Sequence, residues 1–198
     1  MDINEFQVES TEIKYTSNRW TVRSTEVLTP DGKQKWERIR SKSPGLVIIP
    51  INTEGKVGVI SQNRIKEDDK SHIIYEFPSG WMETDSLDVS EDEVKDNANR
   101  ELQEEIGFKA KDLKILSQFQ LGNFAVVPFY ILLATNLEEN KLKADDGEVI
   151  VVEWLTLDEA EKKLLKDQIP TAQVILSVQE LQKLNSNNYS NQSSNSRK

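Results

Sequence analysis

At Ser90 the apolar period of the chain changes from two to nearly four, and any fold for this sequence must accommodate that change. Val94, Ala98, Leu102 and Ile106 recur every fourth residue and form one apolar stripe on a helix. Ser90, with Glu93 three residues on, is a capping-box pattern, and Gly107 stands where a helix C-cap is wanted. The spacing therefore predicts a helix over 91–106, with extended segments on both sides of it.

Upstream, the first forty residues read as strands. Arg19 to Leu28 and Lys35 to Ile39 flank the turn signal Pro30-Asp31-Gly32. Gly45 to Ile51 and Val57 to Gln62 are β-branched and apolar, and Asn52-Thr53-Glu54-Gly55 separates them as a turn. Arg64 to Ser71 is charged and reads as a loop, and Ile73 to Phe77 as a short strand before Pro78-Ser79-Gly80. Downstream, Leu113 to Leu121, Val126 to Thr135 and Val149 to Leu155 read as strands, and Leu157 to Leu165 and Thr171 to Leu184 as helices. The expected organisation is an N-terminal β-hairpin region (1–42), a main folded domain (43–184) and a polar tail (185–198). The tail is almost entirely Asn, Ser, Gln, Arg and Lys, and its composition reads as disordered.

Composition narrows the function. With 34 acidic against 25 basic residues the net charge is −9, which argues against a nucleic-acid partner. There are no cysteines, so disulfides and thiolate metal sites are excluded. No apolar run approaches the roughly 18 residues of a membrane span, and the N-terminus MDINEFQVESTEIK is unlike a signal peptide. The expected setting is cytoplasmic, without a membrane partner. An acidic protein can still hold a phosphorylated ligand through a divalent cation, provided that its carboxylates cluster.

They do so in Arg100-Glu101-Leu102-Gln103-Glu104-Glu105-Ile106-Gly107-Phe108. Glu101, Glu104 and Glu105 are spaced i, i+3 and i+4 and share one helix face. Their mutual repulsion would be relieved by a hard cation with oxygen ligands, and Mg²⁺ suits a site that also takes substrate phosphates. Arg100 can pair with Glu104 at i+4 and hold its carboxylate. Three glutamates alone would equally suit a solvated acidic face.

The whole segment resembles the second half of the Nudix box, R-E-U-x-E-E-x-G-U, at every specified position from Arg100 to Phe108. Ser79-Gly80-Trp81-Met82-Glu83 resembles the glycine loop that opens the box. Asp92 stands in the place of the first box Glu, which in the family mainly braces the box, often through its Arg, and the flanking Glu91 and Glu93 could shift into that place. Eleven residues instead of five separate Gly80 from Asp92. The resemblance implies the α+β Nudix fold, an α/β architecture whose mixed β-sheet is sandwiched between helices. It also implies metal ligation by the Ser79 carbonyl, Glu101 and Glu105, with Glu104 a further ligand.

Within the family the chain resembles the ADP-ribose pyrophosphatase branch. The N-terminal antiparallel β-hairpin, Pro44 to Pro50, Gln62-Asn63-Arg64 and Tyr75-Glu76-Phe77-Pro78-Ser79-Gly80 all look like that branch. So does Asp146-Gly147-Glu148-Val149-Ile150 followed by Trp154-Leu155. The resemblance implies Mg²⁺-dependent cleavage of a nucleoside diphosphate derivative, ADP-ribose to AMP and ribose 5-phosphate, with Mn²⁺ as the alternative metal. Glu148 is the expected catalytic base, with Glu153 the second choice and Glu104 and Arg100 beside the reaction. Arg64 and Glu76 are expected at the substrate, and Trp20, Trp81 or Phe124 against a nucleobase. A homodimer through the hairpin would follow, and Trp36 could cover the partner. The proline usual about fifteen residues past the box in ADP-ribose enzymes is missing from Phe119 to Phe124. GDP-mannose-type sugar nucleotides, nucleoside triphosphates and a non-catalytic nucleotide-sensing module therefore stand as alternatives.

Overall fold

The computed structural model describes residues 6–143, 149–166 and 169–195, with side chains through 186. The chain starts with three antiparallel strands, β1 (Gln7–Thr16), β2 (Trp20–Thr29) and β3 (Gly32–Ser41). The expected hairpin is β2–β3, in unbroken register from Trp20↔Ser41 to Thr29↔Gly32. It is extended by β1, which the turn signals do not reveal. Register shifts between Val8 and Ser10, and between Ile13 and Tyr15, break the alternation that marks a strand.

Next come β4 (Gly45–Pro50), β5 (Val57–Ile65), β6 (Ser71–Glu76) and β7 (Ser79–Trp81), then α1 (Glu91–Glu105). The charged stretch expected to be a loop is narrower than its composition suggests. Both hairpin strands run into it, and Ile65 pairs with Ser71. After α1 follow β8 (Phe108–Gln120), β9 (Ala125–Val126), β10 (Pro128–Glu139), β11 (Ile150–Leu155), α2 (Leu157–Leu165) and α3 (Ala172–Asn195). Pro128 opens β10, a position where the missing N–H is tolerated. The backbone of α3 continues to Asn195, so the segment from 185 is helical where its composition reads as disordered. Val174, Val178 and Leu181 anchor the first half of α3 in the core, and extending a formed helix adds a hydrogen bond for each residue fixed.

The strands form three sheets, ordered β1-β2-β3-β9, β7-β4-β10-β8 and β11-β5-β6. The second sheet is mixed, because β10 runs parallel to β4 and antiparallel to β8. Alternate residues of β4 face opposite ways. Leu46 and Ile48 pack against the α1 stripe, and Val47 and Ile49 join Ala160, Leu164, Val174 and Val178 of α2 and α3. A strand buried on both faces is apolar throughout, as Gly45 to Pro50 is. The mixed sheet between helices expected from the sequence is the architecture observed.

α1 matches its sequence reading closely. Ser90 caps it with both capping-box bonds present, Ile106 is the C-cap, and Gly107 has a φ of 80°, where a side chain would be strained. Val94, Ala98 and Leu102 are buried. Asn99 fixes the helix against β8 by accepting from the Ala110 N–H at 2.8 Å and donating to its carbonyl at 3.2 Å. The opposite, acidic face of α1 is thereby turned toward β7. Among the described residues no helix is long and apolar enough to cross a membrane.

Candidate active site

The site forms where β7 meets α1. Ladder pairs to β4, Leu46↔Gly80 and Val47↔Ser79, fix β7, and the Ile48 N–H donating to the Pro78 carbonyl at 2.8 Å fixes its approach. Gly80 passes so close to α1 that a Cβ there would overlap the Glu101 carboxylate. Only glycine lets the backbone and that carboxylate share the space. The Ser79 N–H donates to Glu105 Oε2 at 2.8 Å, so the loop and the helix hold each other in register.

Arg100 is the hub of the carboxylates. It donates from Nη1 to Glu104 Oε2 at 2.6 Å, and from Nη2 to Glu101 Oε1 at 2.5 Å and to the Trp81 carbonyl at 3.2 Å. Burial, the largest single influence, pulls the guanidinium pKa down, but Glu101, Glu104 and Glu83 together outweigh it and leave the net shift upward. The Arg100–Glu104 pair is the one expected from the i, i+4 spacing. The brace expected from Asp92 is supplied instead by Glu83, whose Oε1 lies 3.7 Å from Arg100 Nε. Asp92 sits in the first turn of α1, where its charge acts on Lys95. The long segment between Gly80 and Asp92 accounts for the exchange, because it brings Glu83 back over the helix, where the Asn97 side chain accepts its N–H at 2.9 Å.

These groups open onto a cavity of about 780 Å³. Ser79, Arg100, Glu101, Glu104 and Glu105 line it, and so do Glu76 and Arg64 from β5 and β6. Glu76 accepts hydrogen bonds from buried Gln62 and from Arg64, the latter at 3.2 Å. Arg64 is thus held by a carboxylate that is itself held. Trp81 lines the cavity, and Trp20 and Phe124 do not. Trp20 packs edge-on behind Trp81, with ring centroids 5.1 Å apart, and Phe124 stands exposed before β9. Glu153 pairs with Lys163 at 2.5 Å away from the cavity. Glu148 lies outside the described residues. Arg19 and Lys42 also line the cavity, although no motif marks them. They come from the ends of β2 and β3, and only the closed ladder brings them there.

The donor set suits a divalent cation. Glu83, Glu101, Glu104 and Glu105 gather four carboxylate side chains near Arg100, and Glu101 is only 8% exposed. Clustered carboxylate oxygens are the ligands that a hard cation takes. Among the described residues no three acidic or histidine side chains come together closely enough to hold a metal ion by themselves. An open set is nevertheless what Mg²⁺ accepts, since it retains waters and takes one or two carboxylates plus phosphate oxygens.

Comparison with known proteins agrees with this geometry. Residues 42–176 match the family model of the NUDIX domain. The chain is 31% identical over 161 residues to the ADP-ribose pyrophosphatase of Bacillus subtilis (strain 168), covering 79% of this chain and 82% of that protein. It is 28% identical over 160 residues to the methanol dehydrogenase activator of Bacillus methanolicus, with the same two coverages, 79% and 82%. The crystal structure of an ADP compounds hydrolase superposes with a TM-score of 0.77 over 95% of this chain and 98% of that one, and at 19% identity this likeness bears on the fold. Nudix hydrolases generally use divalent metal ions, which accords with the carboxylates gathered around Arg100. A family match over most of the chain, on a fold that assembles the box as described, places the protein: it belongs to the Nudix family and is a Nudix pyrophosphohydrolase.

Proposed function

We propose that the protein hydrolyses the pyrophosphate of a nucleoside diphosphate derivative, with ADP-ribose the leading substrate and AMP and ribose 5-phosphate the products. The observation that carries this reading is one cavity lined by the box glutamates on one side and by Arg64, braced through Glu76, on the other. That arrangement suits a ligand with phosphates at its centre and organic groups at both ends. The similarity to the B. subtilis ADP-ribose pyrophosphatase supports ADP-ribose over GDP-mannose-type compounds and nucleoside triphosphates.

Glu101, Glu105 and the Ser79 carbonyl would hold a divalent cation, Mg²⁺ or alternatively Mn²⁺, which would supply Lewis acidity at the phosphorus and make the attacking water easier to deprotonate. The protein's own groups position the reactants. Arg64 holds a non-bridging phosphate oxygen, as a guanidinium can in bidentate geometry. Arg100 keeps Glu101 and Glu104 in place. Water oxygen bonds to one phosphorus, the bridging P–O bond breaks, and the bridging oxygen leaves on the other phosphate. Glu148 takes the proton from the water. Glu104 fits this role less well, because its carboxylate is engaged by Arg100.

We further infer a homodimer formed through the N-terminal sheet. All ten residues of β1 are exposed, Val8, Ile13 and Tyr15 among them, and Phe6 lies edge-on to the exposed Trp36 at 5.6 Å. Apolar surface of this kind is what a partner subunit covers.

The test of the substrate assignment is product analysis with purified protein and Mg²⁺ on ADP-ribose, GDP-mannose, a dinucleoside diphosphate and a nucleoside triphosphate. AMP released fastest from ADP-ribose is the expected result. Preference for the triphosphate, or no turnover of any diphosphate compound, would overturn the assignment.

A further inference from the structure

We propose that Arg19, Lys42 and Ser43 form a second anion subsite in the catalytic cavity, which receives a phosphate group carried beyond the pyrophosphate that is cut. The proposal rests on reading the cavity as a pyrophosphate-hydrolysing site, and it narrows the substrate class. All three residues line the same cavity as Glu101 and Glu105. Their place is fixed by the closed end of the β2–β3 ladder, where Trp20 pairs with Ser41 and the Lys42 N–H donates to the Arg19 carbonyl at 3.0 Å. The Arg19 guanidinium lies 4.9 Å from the centroid of the Trp81 ring, which keeps it beside the glycine loop.

The charge balance within the cavity indicates a ligand. The other arginines there already have carboxylate partners, Arg64 with Glu76 and Arg100 with Glu101 and Glu104. Among the described residues neither Arg19 nor Lys42 has such a partner, although the protein carries a net charge of −9 and Lys42 is half-buried. Ser43 is only 7% exposed and lines the cavity. Two cations without a carboxylate partner, with a hydroxyl that lines the same cavity, make a place for an anion. A phosphate monoester suits it, with nearly two negative charges and three acceptor oxygens. The guanidinium offers a bidentate fork, the ammonium a point charge and the hydroxyl a third donor. A sugar hydroxyl or an uncharged base would not neutralise two cations. Because the pyrophosphate to be cut belongs beside Glu101, Glu105 and Arg64, the phosphate at this subsite is an additional one.

The experiment compares kcat/KM for ADP-ribose, ADP-ribose 2′-phosphate and a dinucleoside triphosphate, using wild type and the Arg19→Gln/Lys42→Gln double variant. Wild type should favour at least one compound with the extra phosphate by about tenfold over ADP-ribose, and the double variant should bring that ratio close to one. In parallel, the same compounds are titrated calorimetrically onto Glu105→Gln protein, with and without the two cation substitutions. The titration reads the subsite without turnover, so a failed hydrolase assignment and a failed subsite are distinguishable. Equal losses on all compounds would show that Arg19 and Lys42 hold the pyrophosphate itself and would overturn the proposal. So would the absence of any preference in both assays.

Discussion

At the scale of single residues, the site depends on one close approach and one hub. Gly80 leaves room for the Glu101 carboxylate above it, so Gly80→Ala must push that carboxylate away from Arg100. The expected cost is about 1–3 kcal/mol of stability, typical of overpacking, with a loss of turnover beyond what that destabilisation explains. Thermal unfolding and steady-state kinetics on the same preparation check this, and a variant with wild-type kcat would refute it. The individual roles were unevenly legible in the sequence. The Arg100–Glu104 pair follows from helical spacing, because both partners sit on one rigid element. Substitution of Glu83 for Asp92 as the brace does not, since the path of the long loop after Gly80 decides which acid reaches the guanidinium. Trp20 illustrates a related limit. An aromatic residue near a site is recognisable by type, but only packing reveals that Trp81 stands between it and the cavity.

At the scale of elements, α1 was nearly complete in the sequence. Its apolar stripe, its cap and its terminating glycine are all local signals, and local signals survive folding unchanged. The cap has a pH dependence that can be worked out. The Glu93 carboxyl is held below its ordinary pKa, first by the Ser90 N–H and then by the Ser90 hydroxyl. A lowered folded-state pKa means stabilisation that is present above the ordinary glutamate value and is lost as pH falls through the folded one. Protonated Glu93 resembles glutamine. The difference in melting temperature between wild type and Glu93→Gln should therefore be largest near neutrality and shrink as pH falls below the ordinary glutamate range. A difference that grows as pH falls would contradict the assignment. β1 was the element least legible, because its two bulges break the alternation on which recognition of a strand depends.

At the scale of the whole molecule, the sheets and helices bring four distant segments to one cavity: the β2–β3 end, the β5–β6 hairpin, the glycine loop and α1. The family and the carboxylate helix were readable from Arg100 to Phe108 alone. Arg19 and Lys42 were not, because their presence in the cavity depends on long-range pairing that no local pattern encodes. The exposed β1 face bears on assembly. Sedimentation should give twice the monomer mass, and Val8→Lys with Ile13→Lys should shift the protein toward monomer. A wild-type monomer at micromolar concentration would contradict the dimer.

The most direct test of pyrophosphate hydrolysis by the carboxylate helix is quantification of AMP and ribose 5-phosphate released from ADP-ribose, with and without Mg²⁺, by wild type and Glu105→Gln. Equimolar products from wild type that require the metal, and a loss on the order of 100-fold or more in the variant, are predicted. A Glu105→Gln enzyme as fast as wild type, or turnover indifferent to metal removal, would contradict the mechanism.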